Sequence, residues 1–249
     1  MSQKAVAPPL QQIRAAWAAL DNGVFAASSL DWGHAAPAVV VVGAHGGCGA
    51  TTVALAIAHA MGSAHLLELA ATPRAGLVAA SSVELGEVAE GWWRGQRAAV
   101  TVERLSRGPR MCAIPAVRPT TDALVVDLAD AARQWGLESG PMQLLLERAE
   151  LVVVVAAATV PGLRQLAASL EQVPDLSKLC VALLGPPVRK WKPAVTAACP
   201  RAWRPGGNAR VVVVEPDPLL SITGVTPDPL PKGVQTAAAH LLRLAREPQ

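Results

Sequence analysis

The residues best suited to chemistry lie in the stretch AHGGCGATT at positions 44–52. An apolar run at 38–42 precedes it and a helical pattern at 51–61 follows it, so backbone N–H groups and a helix dipole could meet a phosphate there. A phosphate-binding loop of this kind normally adds a lysine for the terminal phosphates and a hydroxyl for Mg²⁺. The sequence keeps the glycines and the hydroxyls but has an alanine in place of the lysine: Gly46, Gly47, Gly49, Ala50, Thr51 and Thr52. Glycine-rich turns between a strand and a helix also occur for purely steric reasons, and that alternative stays open at this point.

The amino-acid composition predicts a globular chain with a substantial core. With 51% hydrophobic and 16% charged residues, the chain does not have the composition of a disordered protein. The net charge of +3 is compatible with an anionic partner but is not evidence of one. The four cysteines form no CxxC pair, which argues against a metal cluster and predicts a reducing compartment. Residues 1–17 hold no apolar signal core, and the longest apolar run, 151–161, is about half of a membrane-spanning length. We therefore expect a cytoplasmic protein without a transmembrane segment.

Short apolar runs alternate with helical patterns along most of the chain. Because the runs are continuous rather than alternating in polarity, both faces of each strand should be covered, as in a parallel sheet. This predicts a doubly wound α/β fold with a mostly parallel sheet of seven or eight strands and helices on both faces. The runs are 38–42, 65–69, 110–114, 123–127, 151–155, 179–184 and 211–214, and the helical patterns are 51–61, 81–93, 137–149, 161–172 and 233–246.

The chain divides into an appendage and one domain. Residues 1–36 are predicted to form an N-terminal helical appendage or linker, with a short helix at 11–20. Residues 37–249 form the α/β domain, and the Pro- and Gly-rich segment 186–210 is a loop or an insertion within it.

Six motifs in order resemble the ParA/MinD family of P-loop ATPases, in the SIMIBI class. The loop is similar to that family's deviant Walker A pattern, GKGGVGKTT, and the resemblance covers about 39–244. The other five motifs are LLELAATPRAGL at 66–77, GPRMCAIPA at 108–116, DALVVDLAD at 122–130, AELVVVVAAATVPGLRQLAASLEQV at 149–173 and VVVVEPDPLL at 211–220. The third of these motifs resembles Walker B, and the last resembles the strand whose following loop lies near adenine. The resemblance implies the P-loop fold, ATP with Mg²⁺ as cofactor, and dimers formed face to face around two nucleotides.

Several positions depart from the family pattern, and most of them lose a charged side chain. His45 stands where the family has its signature lysine, which reaches the partner's nucleotide, and Ala50 stands where it has the P-loop lysine. Ala44 replaces the first glycine, Ala70 and Thr72 replace the aspartates of the second-strand motif, and Gly185 replaces an adenine-reading asparagine. The glycine scaffold, Thr51, Asp127 and Asp130 are retained.

These departures predict a degenerate nucleotide site with weak ATP and Mg²⁺ binding and no catalytic residue. Its residues are His45, Gly46, Gly47, Cys48, Gly49, Ala50, Thr51, Thr52, Asp127, Pro216 and Asp217. Thr51 and Asp127 are the Mg²⁺ ligands if nucleotide binds.

Three of these residues have a second interpretation each. His45 could be a protonation-dependent cation toward phosphate or a tolerated polar residue. Cys48 could be a redox switch, but a small residue in the position of the family's valine is the favoured interpretation. Asp127 could hold Mg²⁺ or cap the turn that follows its strand.

The segment 188–210 contains six basic residues, two tryptophans and no acidic residue. Cations interleaved with stacking aromatics suit nucleic-acid backbones, and ParA-type proteins bind DNA through basic surface in their C-terminal half. The alternative, which we weigh more heavily, is a solvated loop whose tryptophans pack on the core. The candidate nucleic-acid residues are Arg189, Lys190, Trp191, Lys192, Arg201, Trp203 and Arg204.

The resemblance implies a positioning, scaffold or regulatory factor with little or no ATP hydrolysis. Such proteins serve DNA partitioning, mobile-element maintenance or the assembly of polar and secretion machines, as homodimers or with a protein partner. The alternatives are a slow but genuine ATPase of the same family and a non-specific DNA-binding accessory protein. The pair Trp92–Trp93 is predicted to end a helix, and the helix at 233–246 is predicted to be a core helix rather than a membrane-docking one.

Overall fold

The computed structural model describes residues 39–69, 76–89, 91–105, 123–129, 141–171, 177–205 and 210–246. The predicted appendage at 1–36 and the predicted strand at 110–114 lie outside these residues, as do Ala70, Thr72 and Asp130. No helix within the described ranges is long and apolar enough to cross a membrane.

A single sheet of nine strands runs through the described part of the domain. Its order is β3-β4-β5-β2-β6-β1-β7-β8-β9. All neighbours pair in parallel except β3 with β4 and β4 with β5, which are antiparallel. The strands are β1 (Val39–Gly43), β2 (Ala64–Glu68), β3 (Val83–Ala89), β4 (Trp92–Arg97), β5 (Val100–Leu105), β6 (Ala123–Asp127), β7 (Leu151–Ala157), β8 (Leu179–Leu184) and β9 (Val211–Val214).

Helices cover both faces of the sheet, which confirms the predicted doubly wound α/β fold with one strand more than the upper estimate. Helices α1 and α6 share one core cluster with the sheet. Leu145 of α2, Leu163 of α3 and Cys199 just after α4 belong to the other cluster. The helices are α1 (Ala50–Ala60), α2 (Pro141–Arg148), α3 (Val160–Leu170), α4 (Pro193–Ala198), α5 (Pro218–Thr223) and α6 (Lys232–Arg246).

The central strand β1 shows why the apolar runs are continuous. Val39 and Val41 pack in the α1–α6 cluster, whereas Val40 and Val42 pack in the opposite cluster. Alternate side chains of a strand point to opposite faces, so a strand covered on both sides needs an apolar residue at every position. The C-terminal helix α6 buries Val234, Ala237, Ala238 and Leu241, and it is therefore a core helix, as its sequence indicated.

The predicted helix at 81–93 is wrong. The chain instead forms β3 and β4, an antiparallel hairpin at the edge of the sheet. Trp92 is 1% exposed and Trp93 is 39% exposed, because consecutive residues of a strand face opposite sides. The pair therefore begins a strand rather than ending a helix. Gly91, with a φ of 77°, supplies the left-handed turn between the strands at no steric cost.

Candidate nucleotide site

The glycine-rich loop follows the carboxyl end of β1, the point in the sheet at which the strand order reverses. β1 lies between β6 and β7, and such a switch point is where open α/β sheets bind ligands. Gly47 and Gly49 have φ values of 72° and 88°, which only glycine adopts without strain. At Gly43 a Cβ would lie 2.6 Å from the Cys48 Sγ atom, so the loop also needs glycine at its start.

A cavity of about 620 Å³ opens above this loop. Most of its lining comes from two segments that are far apart in the sequence, the loop itself and the segment after β9. Ten of the eleven predicted nucleotide residues line it: His45, Gly46, Gly47, Cys48, Gly49, Ala50, Thr51, Thr52, Pro216 and Asp217. The eleventh, Asp127, is fully buried below the loop. Leu184, Val214, Leu220 and Val234 add apolar surface.

The first turn of α1 leaves its backbone donors without a side-chain cap. Gly49 is the N-cap residue and makes no side-chain hydrogen bond, and the first turn holds no acidic residue. Uncapped N–H groups and the positive end of the helix dipole suit an anion. The cradle therefore fits one phosphate group of a nucleotide.

The charged side chains that line the cavity are acidic. They are Glu215 and Asp217, and among the described residues that line it there is no lysine or arginine. The Asp217 carboxylate accepts a hydrogen bond of 2.9 Å from the Leu220 N–H and so caps α5. Ala50 is 6% exposed and belongs to the α1–α6 core. A triphosphate in this cavity would thus meet backbone N–H donors. Among the described residues it would meet no cationic side chain that could balance its charge.

Both ring nitrogens of His45 make hydrogen bonds to the protein backbone. The Ala157 N–H donates to Nε2 at 3.1 Å, and Nδ1 lies 2.9 Å from the Gly46 carbonyl oxygen. Since a backbone amide can only donate, Nε2 must be the acceptor and Nδ1 must carry the proton. The ring is therefore neutral in this arrangement, and its hydrogen bond to Ala157 holds it at the end of β7. Of the two interpretations, the geometry favours the tolerated polar residue over the phosphate-facing cation.

Cys48 points into the core rather than into solvent. It is 1% exposed, and burial raises the pKa of its thiol. A protonated, inaccessible thiol is a poor nucleophile, so the geometry favours the packing interpretation over the redox switch.

Asp127 ends β6 directly below the loop. Its Oδ1 accepts a hydrogen bond of 2.9 Å from the Ala129 N–H, which is the capping role. Burial raises its pKa to about 6, while the Thr51 hydroxyl and the Ala129 amide oppose that rise. Carboxylate and hydroxyl oxygens are ligands that Mg²⁺ prefers, so the Thr51–Asp127 donor set also fits the ion.

Sequence reasoning missed Glu68, at the end of β2. It pairs in register with Asp127 on β6 and is 0% exposed. Its Oε1 accepts hydrogen bonds from the N–H groups of Gly76 (2.6 Å) and Leu77 (3.2 Å). Burial, and then the charge of Asp127, raise its pKa to about 8. The signal that could have found it was the glutamate that interrupts the leucines at 66–69.

Gly185, in the position of the family's asparagine, has no space for a side chain. A Cβ there would lie 2.5 Å from the Ala158 Cβ. An adenine-reading amide therefore has no place at this position.

The basic segment lies apart from the cavity, and its tryptophans are packed. None of its residues lines the cavity. Trp191 and Trp203 pack against the core cluster that contains α3, and the Trp191 Nε1–H donates to the Pro186 carbonyl at 2.9 Å. Both indoles are half-buried, so part of each ring is covered by this core cluster. Four of the five basic candidates are exposed, namely Arg189, Lys190, Lys192 and Arg201, whereas the Arg204 guanidinium donates to the Thr196 carbonyl at 3.3 Å.

No family model and no curated protein matches the chain by sequence. Solved structures match its fold over most of its length. A ParA family ATPase from Chlorobium tepidum superposes with a TM-score of 0.52 at 11% identity, covering 86% of this chain and 95% of that one. The cell division ATPase MinD of Pyrococcus furiosus gives 0.52 at 18% identity, covering 84% and 98%.

A MinC:MinD cell division complex from Aquifex aeolicus gives a TM-score of 0.50 at 16% identity, covering 84% of this chain and 95% of that one. At these identities the likeness concerns the fold. It confirms that the fold predicted from the six motifs is that of the ParA and MinD ATPases.

Proposed function

We propose that this chain is a ParA/MinD-like protein with a degenerate nucleotide site, acting as a positioning, scaffold or regulatory factor with little or no ATP hydrolysis. The observation that carries the proposal is the charge of the cavity, whose only charged lining residues in the described part of the chain are Glu215 and Asp217. DNA partitioning, mobile-element maintenance and assembly of a polar or secretion machine are the processes that fit the fold.

Phosphoryl transfer depends on cations that hold and neutralise the transferred group. Each lost charged contact costs about 2–4 kcal/mol in the transition state. In this chain Ala50 stands in place of the loop lysine, and His45 stands in place of the second lysine. The His45 ring accepts a hydrogen bond from the Ala157 N–H and is neutral in that arrangement. Losing both leaves hydrolysis near the uncatalysed rate. Binding suffers less, because the uncapped N–H groups of α1 remain.

A role through a partner fits the same geometry. A chain that keeps the ParA/MinD fold but lacks the cationic side chains of the nucleotide site can still present the outer surfaces of that fold to a partner, even though it does not hydrolyse ATP. The MinD of the Aquifex complex binds a second protein, MinC, so this fold supports such docking. On this proposal the chain works in a larger assembly, as a homodimer or with another protein.

Steady-state phosphate release from ATP and Mg²⁺ tests the proposal. The wild-type protein should release phosphate no faster than a sample without enzyme, and Ala50→Lys should bind nucleotide more tightly without gaining turnover. Asp127→Asn is the matched control, since it keeps the shape of the carboxylate and removes its charge. Hydrolysis by the wild type that disappears in Asp127→Asn refutes the proposal and identifies a slow ATPase.

Non-specific DNA binding is a second candidate, favoured by one observation. The exposed cations Arg189, Lys190, Lys192 and Arg201 lie within one short segment. They suit contacts with phosphates. Because the neighbouring indoles are packed, such binding would be electrostatic rather than based on stacking.

A further inference from the structure

A second cavity, of about 430 Å³, lies beside the carboxyl end of α1. It shares no lining residue with the nucleotide cavity, which adjoins the other end of that helix. Its walls come from the last turn of α1, the start of the β3–β4 hairpin, the turn between β4 and β5, and the chain around the start of α6. The lining residues are His59, Ser82, Arg97, Ala98, Pro227, Pro229, Leu230 and Gln235.

Arg97 brings a buried positive charge to this cavity. It is 3% exposed, and no ion pair in the described part of the chain includes it. Burial lowers the pKa of its guanidinium, and the charge of Asp228 opposes that shift. The Asp228 carboxylate, however, is turned to the Thr226 hydroxyl, from which its Oδ2 accepts at 3.0 Å. Because buried charges are normally paired, an unpaired guanidinium at the wall of a cavity indicates an anionic ligand.

Neutral acceptors hold the Arg97 guanidinium in place. Its Nε donates to the His59 Nε2 atom at 2.9 Å, and its Nη1 donates to the Ala80 carbonyl at 3.0 Å. Nη1 also donates to the Thr226 carbonyl, and Nη2 donates to the Asp228 carbonyl. These contacts use four of the five N–H groups of an arginine. They fix the orientation of the guanidinium, but they do not balance its charge, because none of the acceptors is ionised.

His59 and Ser82 add hydrogen-bond donors to the same cavity. Since an arginine can only donate, His59 Nε2 is an acceptor and Nδ1 carries the proton of the neutral ring. Burial, and then the charge of Arg97, lower the pKa of His59 and so keep the ring neutral. The ring's hydrogen bond within the described residues uses Nε2, which leaves the Nδ1–H for a ligand. The hydroxyl of the exposed Ser82 donates to the Gln96 carbonyl at 3.0 Å and can rotate toward a ligand.

The charge and the walls of the cavity favour one class of anion. One guanidinium balances one negative charge, and the carboxylate of the exposed Asp228 nearby would repel a second. A carboxylate therefore fits better than a phosphate dianion, and its two oxygens suit a small number of charge-assisted donors. Pro227, Pro229 and Leu230 supply apolar wall, which suits an acid with a hydrocarbon part.

We propose that this second cavity binds a small organic carboxylate, whose charged group meets Arg97, the His59 Nδ1–H and the Ser82 hydroxyl and whose hydrocarbon part lies against the apolar wall. A free small acid and the C-terminal residue of a peptide both offer this chemistry. The site uses no residue of the glycine-rich loop, so it does not rest on the proposed loss of ATP hydrolysis.

A nuclear magnetic resonance titration of the full chain, labelled with nitrogen-15 and free of nucleotide, tests the site. Sodium benzoate should shift the backbone amide signals of Ala98 and Leu230 in a saturable way, with an affinity in the millimolar range. Benzamide has the same ring without the charge and should bind about tenfold more weakly or less. N-acetylleucine, which carries the carboxylate of a peptide C-terminus, distinguishes the two sources: tighter binding than benzoate assigns the site to a peptide end, and weaker binding assigns it to a free acid.

A pair of variants at Ser82 tests the charge of the site without disturbing Arg97. Ser82 is exposed, so Ser82→Asp and its neutral counterpart Ser82→Asn should both fold. The aspartate should weaken benzoate binding about tenfold or more by repulsion, whereas the asparagine, which keeps a donor, should weaken it about threefold or less. Ser221→Asp adds the same charge at an exposed serine of the nucleotide cavity and should bind benzoate like the wild type.

Four results overturn the proposal. They are no saturable shift with either carboxylate, equal binding of benzoate and benzamide, undiminished binding by Ser82→Asp, and equal losses in Ser82→Asp and Ser82→Asn. The wild-type titration needs no variant, so the test does not depend on how the variants fold. The phosphate-release assay does not enter this result.

Discussion

Glu68→Gln should change how stability depends on pH in the metal-free protein. Burial, and then the charge of Asp127, raise the pKa of Glu68 from 4.5 to about 8 in the folded chain. The folded state therefore binds a proton that the unfolded state has released, and stability falls as pH rises through this window. The glutamine carries no titrating group and still accepts from the Gly76 N–H.

The size of the effect follows from the same pKa values. A shift of one pKa unit corresponds to about 1.4 kcal/mol, so the full change is on the order of 5 kcal/mol once Glu68 ionises. Between pH 6 and pH 8 the wild type should lose about 2 kcal/mol of unfolding free energy from Glu68 alone. Asp127, whose folded pKa is raised to about 6, is half ionised at pH 6 and adds a further loss of about 0.4 kcal/mol across this window, which the wild type and the variant share.

Urea unfolding at pH 6, 7 and 8 in the presence of EDTA measures this slope. The wild type should lose stability across the series, and Glu68→Gln should be nearly flat by comparison. Burial lowers the pKa of His59, which favours folding as pH rises from 6 to 7, but both proteins share that contribution. Parallel slopes for the two proteins would refute the assignment of a buried, protonated Glu68.

Three further outcomes are expected. Replacing Arg189, Lys190 and Lys192 with alanine should weaken duplex DNA binding by tenfold or more at about 50 mM salt and flatten its salt dependence. A filter or anisotropy assay measures this, and unchanged binding assigns the segment to packing or to a protein partner. The Cys48 thiol should react with a chromogenic disulfide at least a hundredfold more slowly in the native chain than in urea, because it is buried and its pKa is raised; equal rates would restore the redox interpretation. Self-association should not depend on ATP, because the His45 ring is hydrogen-bonded to Ala157 of its own chain and stands where the family has the lysine that reaches the partner's nucleotide. Light scattering that shows a dimer only with ATP and Mg²⁺ contradicts this.

Local sequence was sufficient for the parallel part of the sheet and for the loop. The continuous valine runs of β1 and β7 require cover on both faces, and that alone predicts a parallel sheet between helix layers. Gly47 and Gly49 mark left-handed positions that other residues adopt only with strain. These features depend on neighbours within a few residues, so they can be read from the sequence.

The hairpin was not predictable by the same means. Residues 81–93 carry a spacing of apolar residues that also fits a helix, and the pairing of β4 with β5 decided between the two structures. Strand pairing overrides a local pattern of that length, because its hydrogen bonds come from residues outside the pattern.

The sequence by itself therefore determined that a phosphate cradle without its lysine follows a buried strand. Only the tertiary structure decided where the charges of this site lie. It placed Glu68 beside Asp127 through the register of β2 and β6, and it turned His45 toward Ala157, 112 residues further along the chain. Contacts of this kind depend on strand register and on the packing of distant segments, which no local periodicity encodes.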